Sequence, residues 1–410
     1  MSFAQSKPKM RAIEPIPIEH EGQRAVLLRD PYNISPNGLS VSLQAYFIIS
    51  IMNGVNSIND ILKNFSDTFK ANIPLKDIEN LVKTMDENFL LDNENFDKRR
   101  KKIVEDFMDA PVRKSALAGK SYSADAAEVA KMLDGYITKT AAVDPPPFAL
   151  VAPHIDIAVG GPSYGAAYSR LAGSTAETFV ILAIGHSLTE DFFACIDKDF
   201  ETPLGISPTD HEFLAALESD FGEPIYKNAF VHRSEHSAEL QVLFLQKLFG
   251  GSDPPRKIVP ILLSFPETID ELNDPLFNPD RVGRFIKALK KSINAMGGNI
   301  CIIAGIDLSH VGKRFGQNGG APKERLEEIE KEDRKLLDIA AGVDKKGLVE
   351  FMKVLNPKNH VCGFPALYVL MELLEGCRVS GGKLLDYRQS VEGKNDSVVS
   401  FAAMAYFKDI

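Results

Sequence analysis

The chain has 410 residues, enough for about two or three domains with substantial cores. Hydrophobic residues make up 44% and charged residues 25%, as in an ordinary globular protein, while a formal net charge of −9 argues against a nucleic-acid partner, which needs concentrated positive charge. No apolar run is long enough to span a bilayer, and Met1–Arg11 lacks the apolar centre of a signal peptide, so the expected setting is cytoplasmic with no membrane partner.

In chain order, two strand-like pieces come first, Ile16–Ile18 and Ala25–Leu28, separated by Glu21-Gly22. A helical pattern runs from Ser42 to Met52 and stops at Asn53-Gly54. Ser57-Ile-Asn-Asp60 opens a second helix in capping-box style, with Ile58, Ile61, Leu62 and Phe65 on one face. Pro74 opens a third, with Ile78, Leu81, Val82 and Met85 inward, and Phe89-Leu-Leu91 reads as a short strand or wing. This order outlines a winged-helix domain over residues 1–92. Its helix at Ile78–Met85 carries Lys76, Asp77, Glu79, Lys83 and Asp86, a mixture ill suited to phosphate. The basic run Asp97–Lys102 and the pattern after it form a helical linker over residues 93–111.

From Val112 to Ile410 strands and helices alternate, which predicts one α/β domain. An amphipathic helix, Ala126–Ile137, and the linker Asp144-Pro-Pro-Pro147 lead to the strand Phe148–Ala152. Further strands are predicted at Phe179–Ile184, Ile258–Leu263, Ile300–Ile306 and Val398–Tyr406. Helices fall between them at Thr209–Leu217, His236–Leu248, Pro279–Met296, Glu324–Ala341, Lys346–Val354 and Phe364–Leu374.

Three of these strands end alike. The first runs into Pro153-His154-Ile-Asp156, the second into Gly185-His186-Ser187 and the third into Asp307-Leu-Ser-His310. The chain has only eight histidines, so three such endings point to one crevice at the carboxyl ends of parallel strands. Imidazole nitrogen and carboxylate oxygen suit a transition metal such as iron, zinc or copper. Glu235-His236-Ser-Ala-Glu239 opens a helix; His236 reads as a partner that supports a ligand or as a proton shuttle, with Glu239 on nearly the same face, or the acids simply suit a positive helix end. Cys362-Gly363 precedes another helix, where a thiol is expected to have a lowered pKa and to act as ligand or nucleophile. Among the other cysteines, Cys301 lies in an apolar strand and reads as core; no Cys-x-x-Cys pair occurs. His20, His211, His232 and His360 read as surface or loop residues.

The ordered set Ala152-Pro-His154, Gly185-His186-Ser187, Thr202-Pro-Leu-Gly205, Glu235-His236-Ser-x-Glu239, Val259-Pro-Ile-Leu262, Asp307-Leu-Ser-His310-x-Gly312 and Cys362-Gly363 resembles the Memo family. That family is also described as AmmeMemoRadiSam system protein B; Ala118-Gly-Lys-Ser-Tyr122 fits it too. The resemblance implies a fold like the LigB-type class III extradiol dioxygenases, which are non-haem iron enzymes. It implies His154, His186 and Cys362 as metal ligands, with Asp307 and His310 lining the same pocket and His310 in the acid/base position. The ion would be iron, as in those dioxygenases, or copper, which a thiolate in place of the dioxygenase glutamate favours by softening the site. Radical-SAM and AMMECR-type proteins are the implied companions, and His236 and Glu239 would orient the substrate or a neighbouring residue. The first 92 residues resemble PqqD-like peptide-binding domains, implying a peptide or protein partner bound by strand addition.

The chain departs from the common family pattern at Ile155-Asp156-Ile157, where Ala-Gly-Tyr is usual. Asp156 then either hydrogen-bonds His154 or adds an oxygen ligand, and any tyrosine role falls to Tyr164 or Tyr168. Three functions fit these residues: a metal-dependent oxidoreductase, a non-catalytic assembly protein binding a partner in the same pocket, or a metal-dependent hydrolase with Glu235 or His310 as base.

Overall fold

The computed structural model describes residues 3–20, 23–30, 32–35, 38–138, 145–265, 277–297, 299–377, 379–393 and 396–408. Asp144 of the predicted linker and the side chain of His20 lie outside the described residues. The chain divides into two compact units, Met1–Asp109 and Ala110–Ile410.

In the first unit β1 (Glu14–His20) and β2 (Gln23–Arg29) pair antiparallel, and β3 (Leu39–Ser42) adds to β2. Four helices follow: α1 (Leu43–Ser50), α2 (Ile58–Phe69), α3 (Leu75–Glu87) and α4 (Glu94–Asp109). The capping box is present: Asp60 N–H donates to Ser57 Oγ at 3.2 Å and Ser57 N–H donates to the Asp60 carboxylate at 2.9 Å. Ile58, Ile61 and Phe65 pack with Ile48, Met52 and Ile78, which is the face their spacing predicts. The wing expected at Phe89-Leu-Leu91 is only a single bridge between Leu91 and Met10. The expected linker is mostly α4, and its start is tied to the first unit, with the Arg11 guanidinium 4.8 Å from the Phe96 ring.

The second unit begins with β4 (Val112–Arg113), α5 (Ala126–Asp134), β5 (Ala149–Ala152), α6 (Ile157–Tyr168), β6 (Thr178–Ile184) and β7 (Phe193–Cys195). It continues through β8 (Asp199–Thr202), β9 (Gly205–Ser207), α7 (His211–Phe221), α8 (Ser237–Phe249), β10 (Lys257–Leu263), α9 (Pro279–Ala295) and β11 (Ile300–Gly305). The last elements are β12 (Asp307–Gly312), α10 (Lys323–Ala341), α11 (Lys345–Asn359), α12 (Phe364–Leu374), β13 (Val379–Glu392) and β14 (Ser397–Lys408). The main sheet has the order β12-β14-β5-β11-β6-β10-β7, with β13 also on β14. Its centre, β5-β11-β6-β10, is parallel, and β14 joins β5 antiparallel. Every residue of β6 and β11 is buried, as strands covered on both faces must be. The fold is thus α/β with a small sheet-containing unit ahead of it. Among the described residues no helix is long and apolar enough to cross a membrane.

Helix α6 packs unusually close to its neighbour. A Cβ built on Gly165 would stand 2.3 Å from the Tyr136 carbonyl oxygen, and one on Gly161 would stand 2.2 Å from its ring. The 3₁₀ turn Ala229–Arg233 contains His232, which is 1% exposed rather than a surface residue as its sequence context suggests. Its Nε2–H donates to the Ala194 carbonyl of β7 at 2.9 Å. Burial pushes the imidazole down to about 3, against a smaller upward pull from that hydrogen bond.

Gly165→Ala gains about 1 kcal/mol of helix propensity but loses about 1–3 kcal/mol to the clash. The expected net result is a lower urea midpoint; an unchanged or raised one would refute the close approach. His232 is neutral when folded and protonated when unfolded below its ordinary value of 6.5. Stability conferred by its burial is therefore complete above that pH and falls by about 1.4 kcal/mol for each unit below it. His232→Gln should flatten the fall in urea stability between about pH 6.5 and 5 by that slope, whereas equal slopes in both proteins would contradict it.

Candidate metal centre

The sheet brings the expected strand ends level. In the parallel register Gly305 pairs with Ala152, and Ala304 pairs with Leu182. His154 and His186 each lie two residues beyond their strands, and Asp307 two beyond β11. Helix α8 starts beside them with His236 at its N-cap. The ligand nitrogens of His154, His186 and His236 all lie within 4.8 Å of one another. His186 and His236 stack at 4.8 Å with 19° between planes, while His154 meets both edge-on at 5.1 and 5.5 Å. His154 is 2% exposed and forms the floor; the side chains of His186 and His236 are 38% and 37% exposed and face solvent.

Each imidazole is oriented through one nitrogen. His154 Nδ1–H donates to the Gly305 carbonyl at 3.0 Å, which turns Nε2 inward. His186 Nδ1 lies 3.1 Å from Glu235 Oε1 and 3.2 Å from Oε2, and His236 Nδ1 lies 3.1 Å from Oε1. One buried carboxylate thus holds two rings. Burial alone would raise the Glu235 carboxyl, but the charges and hydrogen bonds of His186 and His236 outweigh it and hold it well below the ordinary carboxylate range. Burial, only partly opposed by Asp307, pushes His154 down to about 4, so it is neutral and able to ligate at neutral pH.

Asp307 Oδ1 accepts the N–H groups of His154 at 3.0 Å and Ile155 at 3.2 Å, fixing the turn after β5. Cys362 Sγ stands 3.5 Å from His154 Nε2. It is brought there by Gly363, whose N–H donates to the Asp307 carbonyl at 3.2 Å; a Cβ on Gly363 would be 2.4 Å from that oxygen. The expected lowering of the thiol pKa does not occur. Burial, reinforced by the Asp307 charge, holds the Cys362 thiol well above its ordinary value, so a thiolate there needs a cation beside it. His310 Nδ1–H donates to the Leu308 carbonyl at 3.0 Å, and burial lowers its pKa despite the opposing charge of Asp307. The register of β12 against β14 slips between Asp307 and His310, interrupting strict strand alternation.

Other expectations are redirected. Glu239 is spent in a buried network: it accepts from Arg113 Nη1, Ser115 Oγ (2.6 Å), Tyr122 Oη and the N–H groups of Ala116 (2.8 Å) and Leu117 (3.1 Å). With both oxygens so occupied it has no capacity left to handle a substrate proton. Asp156 is the N-cap of α6, accepting Ala158 N–H at 2.8 Å. Tyr164 and Tyr168 are fully buried; their hydroxyls donate to the Ile155 carbonyl (3.0 Å) and to Gln241 (2.7 Å). The orienting part of Glu235 was not legible in sequence, where it reads only as a possible base beside His236, because nothing local tells which carboxylate of Glu235 and Glu239 turns toward the strand ends.

The donor set fits a transition metal. Each of the three imidazoles has a nitrogen hydrogen-bonded to a carbonyl or carboxylate, as metal-binding histidines do. At up to 4.8 Å apart, their nitrogens stand wider than the roughly 3.4 Å between nitrogens of a tetrahedral site. The Memo-like protein family model matches residues 113–405. A MEMO1 family protein of Aquifex aeolicus is 28% identical over 404 residues, covering 98% of this chain and all of its own length. A MEMO1 family protein of Methanopyrus kandleri is 28% identical over 307 residues (72% of this chain, 98% of its own), and one of Thermus thermophilus is 26% identical over 329 residues (80% and 92%). With nearly all of its second unit matched by the family model, the chain belongs to the Memo-like family.

Proposed function

We propose that this Memo-like protein is a metal-dependent oxidoreductase of the cytoplasm that binds iron or copper through His154 and His186, with Cys362 and His236 as the further donors. The observation that carries the reading is the convergence of three carbonyl- or carboxylate-oriented imidazoles with a thiol 3.5 Å from one of them. When bound, the ion supplies redox chemistry of the dioxygenase-like kind. The chain's own residues do the rest. His154, enclosed and neutral, provides a dry floor. His186 and His236 stand on the solvent side, where a substrate arrives. His310, with Nδ1–H committed to Leu308, keeps Nε2 as the basic nitrogen for moving a proton. Asp307 keeps His154 in place.

The first unit favours partner recruitment in the same pathway, with radical-SAM and AMMECR-type proteins as the companions the family resemblance suggests. Pro15 and Pro17 stand at alternate positions of β1, and pairing with β2 runs unbroken from Glu14 to His20. Their missing N–H groups therefore face outward and blunt that edge, so an added peptide strand belongs on β3.

Metal analysis of the full chain, purified natively and also reloaded anaerobically with Fe(II) or Cu(I), tests the centre. His154→Ala and His186→Ala should each weaken binding by more than about 100-fold, beyond the 10–100-fold cost typical of losing a supporting residue. Cys362→Ser should weaken Cu(I) more than Fe(II), since thiolate prefers the softer ion. Unchanged metal content in the two histidine variants would end the proposal. Partner capture that survives them without metal would favour the non-catalytic assembly role.

A further inference from the structure

Arg113 stands in the first strand of the second unit and touches none of the three histidines in the contacts described, yet it is completely buried. Its planar fork is divided among three acceptors on one short stretch. Nε donates to the His232 carbonyl at 2.9 Å, Nη2 to the Glu235 carbonyl at 2.6 Å, and Nη1 to the Glu239 carboxylate. The guanidinium lies 5.0 Å from the Phe200 ring. Arg113 thereby fixes the chain just before Glu235, at Glu235, and one turn into α8. Because the Glu235 carbonyl is held on the Arg113 side, its carboxylate is presented to the other: it accepts from His186 N–H (2.9 Å), His236 N–H (2.8 Å) and Ser237 N–H (3.0 Å), and from the two imidazoles.

We propose that Arg113 is a positioning residue of the metal centre, its guanidinium setting the Glu235–His236 turn so that one carboxylate orients both His186 and His236. This rests on the metal reading above. Glu239 is then the anchor of Arg113. The Ser115–Tyr122 segment, which closes over Glu239, completes that anchor. Stability alone does not explain the arrangement, because an enclosed ion pair is commonly replaceable by apolar side chains of similar volume. Two carbonyls flanking a ligand-bearing turn are not. Nor does lysine substitute, since its ammonium is a single point and cannot span three separated acceptors.

The test uses the metal-free full chain, titrated with Co(II) well below the melting temperature. Arg113→Lys keeps the charge opposite Glu239 but loses the fork. It should weaken Co(II) about 10–100-fold and alter the ligand-field absorption, as Glu235→Gln should. The double variant should lose little more than either single one, because both act through the same carboxylate. A purely structural Arg113 would lower the melting temperature and leave Co(II) affinity and spectrum unchanged, which overturns the proposal. If Arg113→Lys does not fold, Glu239→Gln tests the anchor, and unaltered Co(II) binding by that variant is equally fatal. If the wild-type chain binds neither Co(II) nor the Fe(II) or Cu(I) offered above, the metal reading fails, and whenever Co(II) does not bind, ¹⁵N-histidine spectra of the metal-free protein decide the positioning claim. Arg113→Lys should shift the Nδ1 signals of His186 and His236, and unmoved signals refute it.

Discussion

The site depends on one enclosed carboxylate. Glu235 is buried, and a buried charge persists only when it is fully paired. Its partners are the two solvent-facing imidazoles and three backbone N–H groups, at residues 186, 236 and 237. This couples a strand end to a helix start, so β6 and α8 cannot shift independently without unpairing the charge. The behaviour of His186 and His236 as a pair follows from that constraint rather than from their ring stacking, which is a weak interaction by comparison.

Burial moves the pKa values of His154 and the neighbouring Cys362 in opposite directions. It keeps His154 neutral, the form that ligates, and keeps the Cys362 thiol protonated, the form that does not. A cation reverses only the second. Under the metal reading proposed above, the pair would act as a preformed nitrogen donor beside a sulfur donor recruited when positive charge arrives, and metal binding there would be coupled to loss of a proton. Gly363 makes the pairing possible by letting the chain approach the Asp307 carbonyl more closely than a side chain allows.

Much of the fold was legible because its signals are local. The apolar runs of β6 and β11, the Ser57 capping box and the amphipathic faces of α2 and α9 appear where the pattern places them. The three-residue strands β7 and β9 and the two-residue β4 escape a periodicity search because they are too short to show a period. β12 escapes it because it follows β11 after a single residue and carries a register slip. His232 misled because burial is imposed by elements remote in sequence: its partners are the Ala194 carbonyl and, through its own carbonyl, Arg113.

Residue order alone determined that histidines follow three apolar strands, that a thiol and a glycine precede a late helix, and that the chain carries the Memo-family set; these depend only on neighbours along the chain. Which carboxylate serves the imidazoles was decided by tertiary structure. Glu235 and Glu239 sit four residues apart at the start of the same helix, and their types and spacing are equivalent on paper. Arg113, more than a hundred residues upstream, captures the Glu239 carboxylate and the Glu235 carbonyl together. Together with the Ser115–Tyr122 segment these long-range contacts occupy one carboxylate, while the other is left aimed at the strand ends, and no local pattern in the chain encodes that choice.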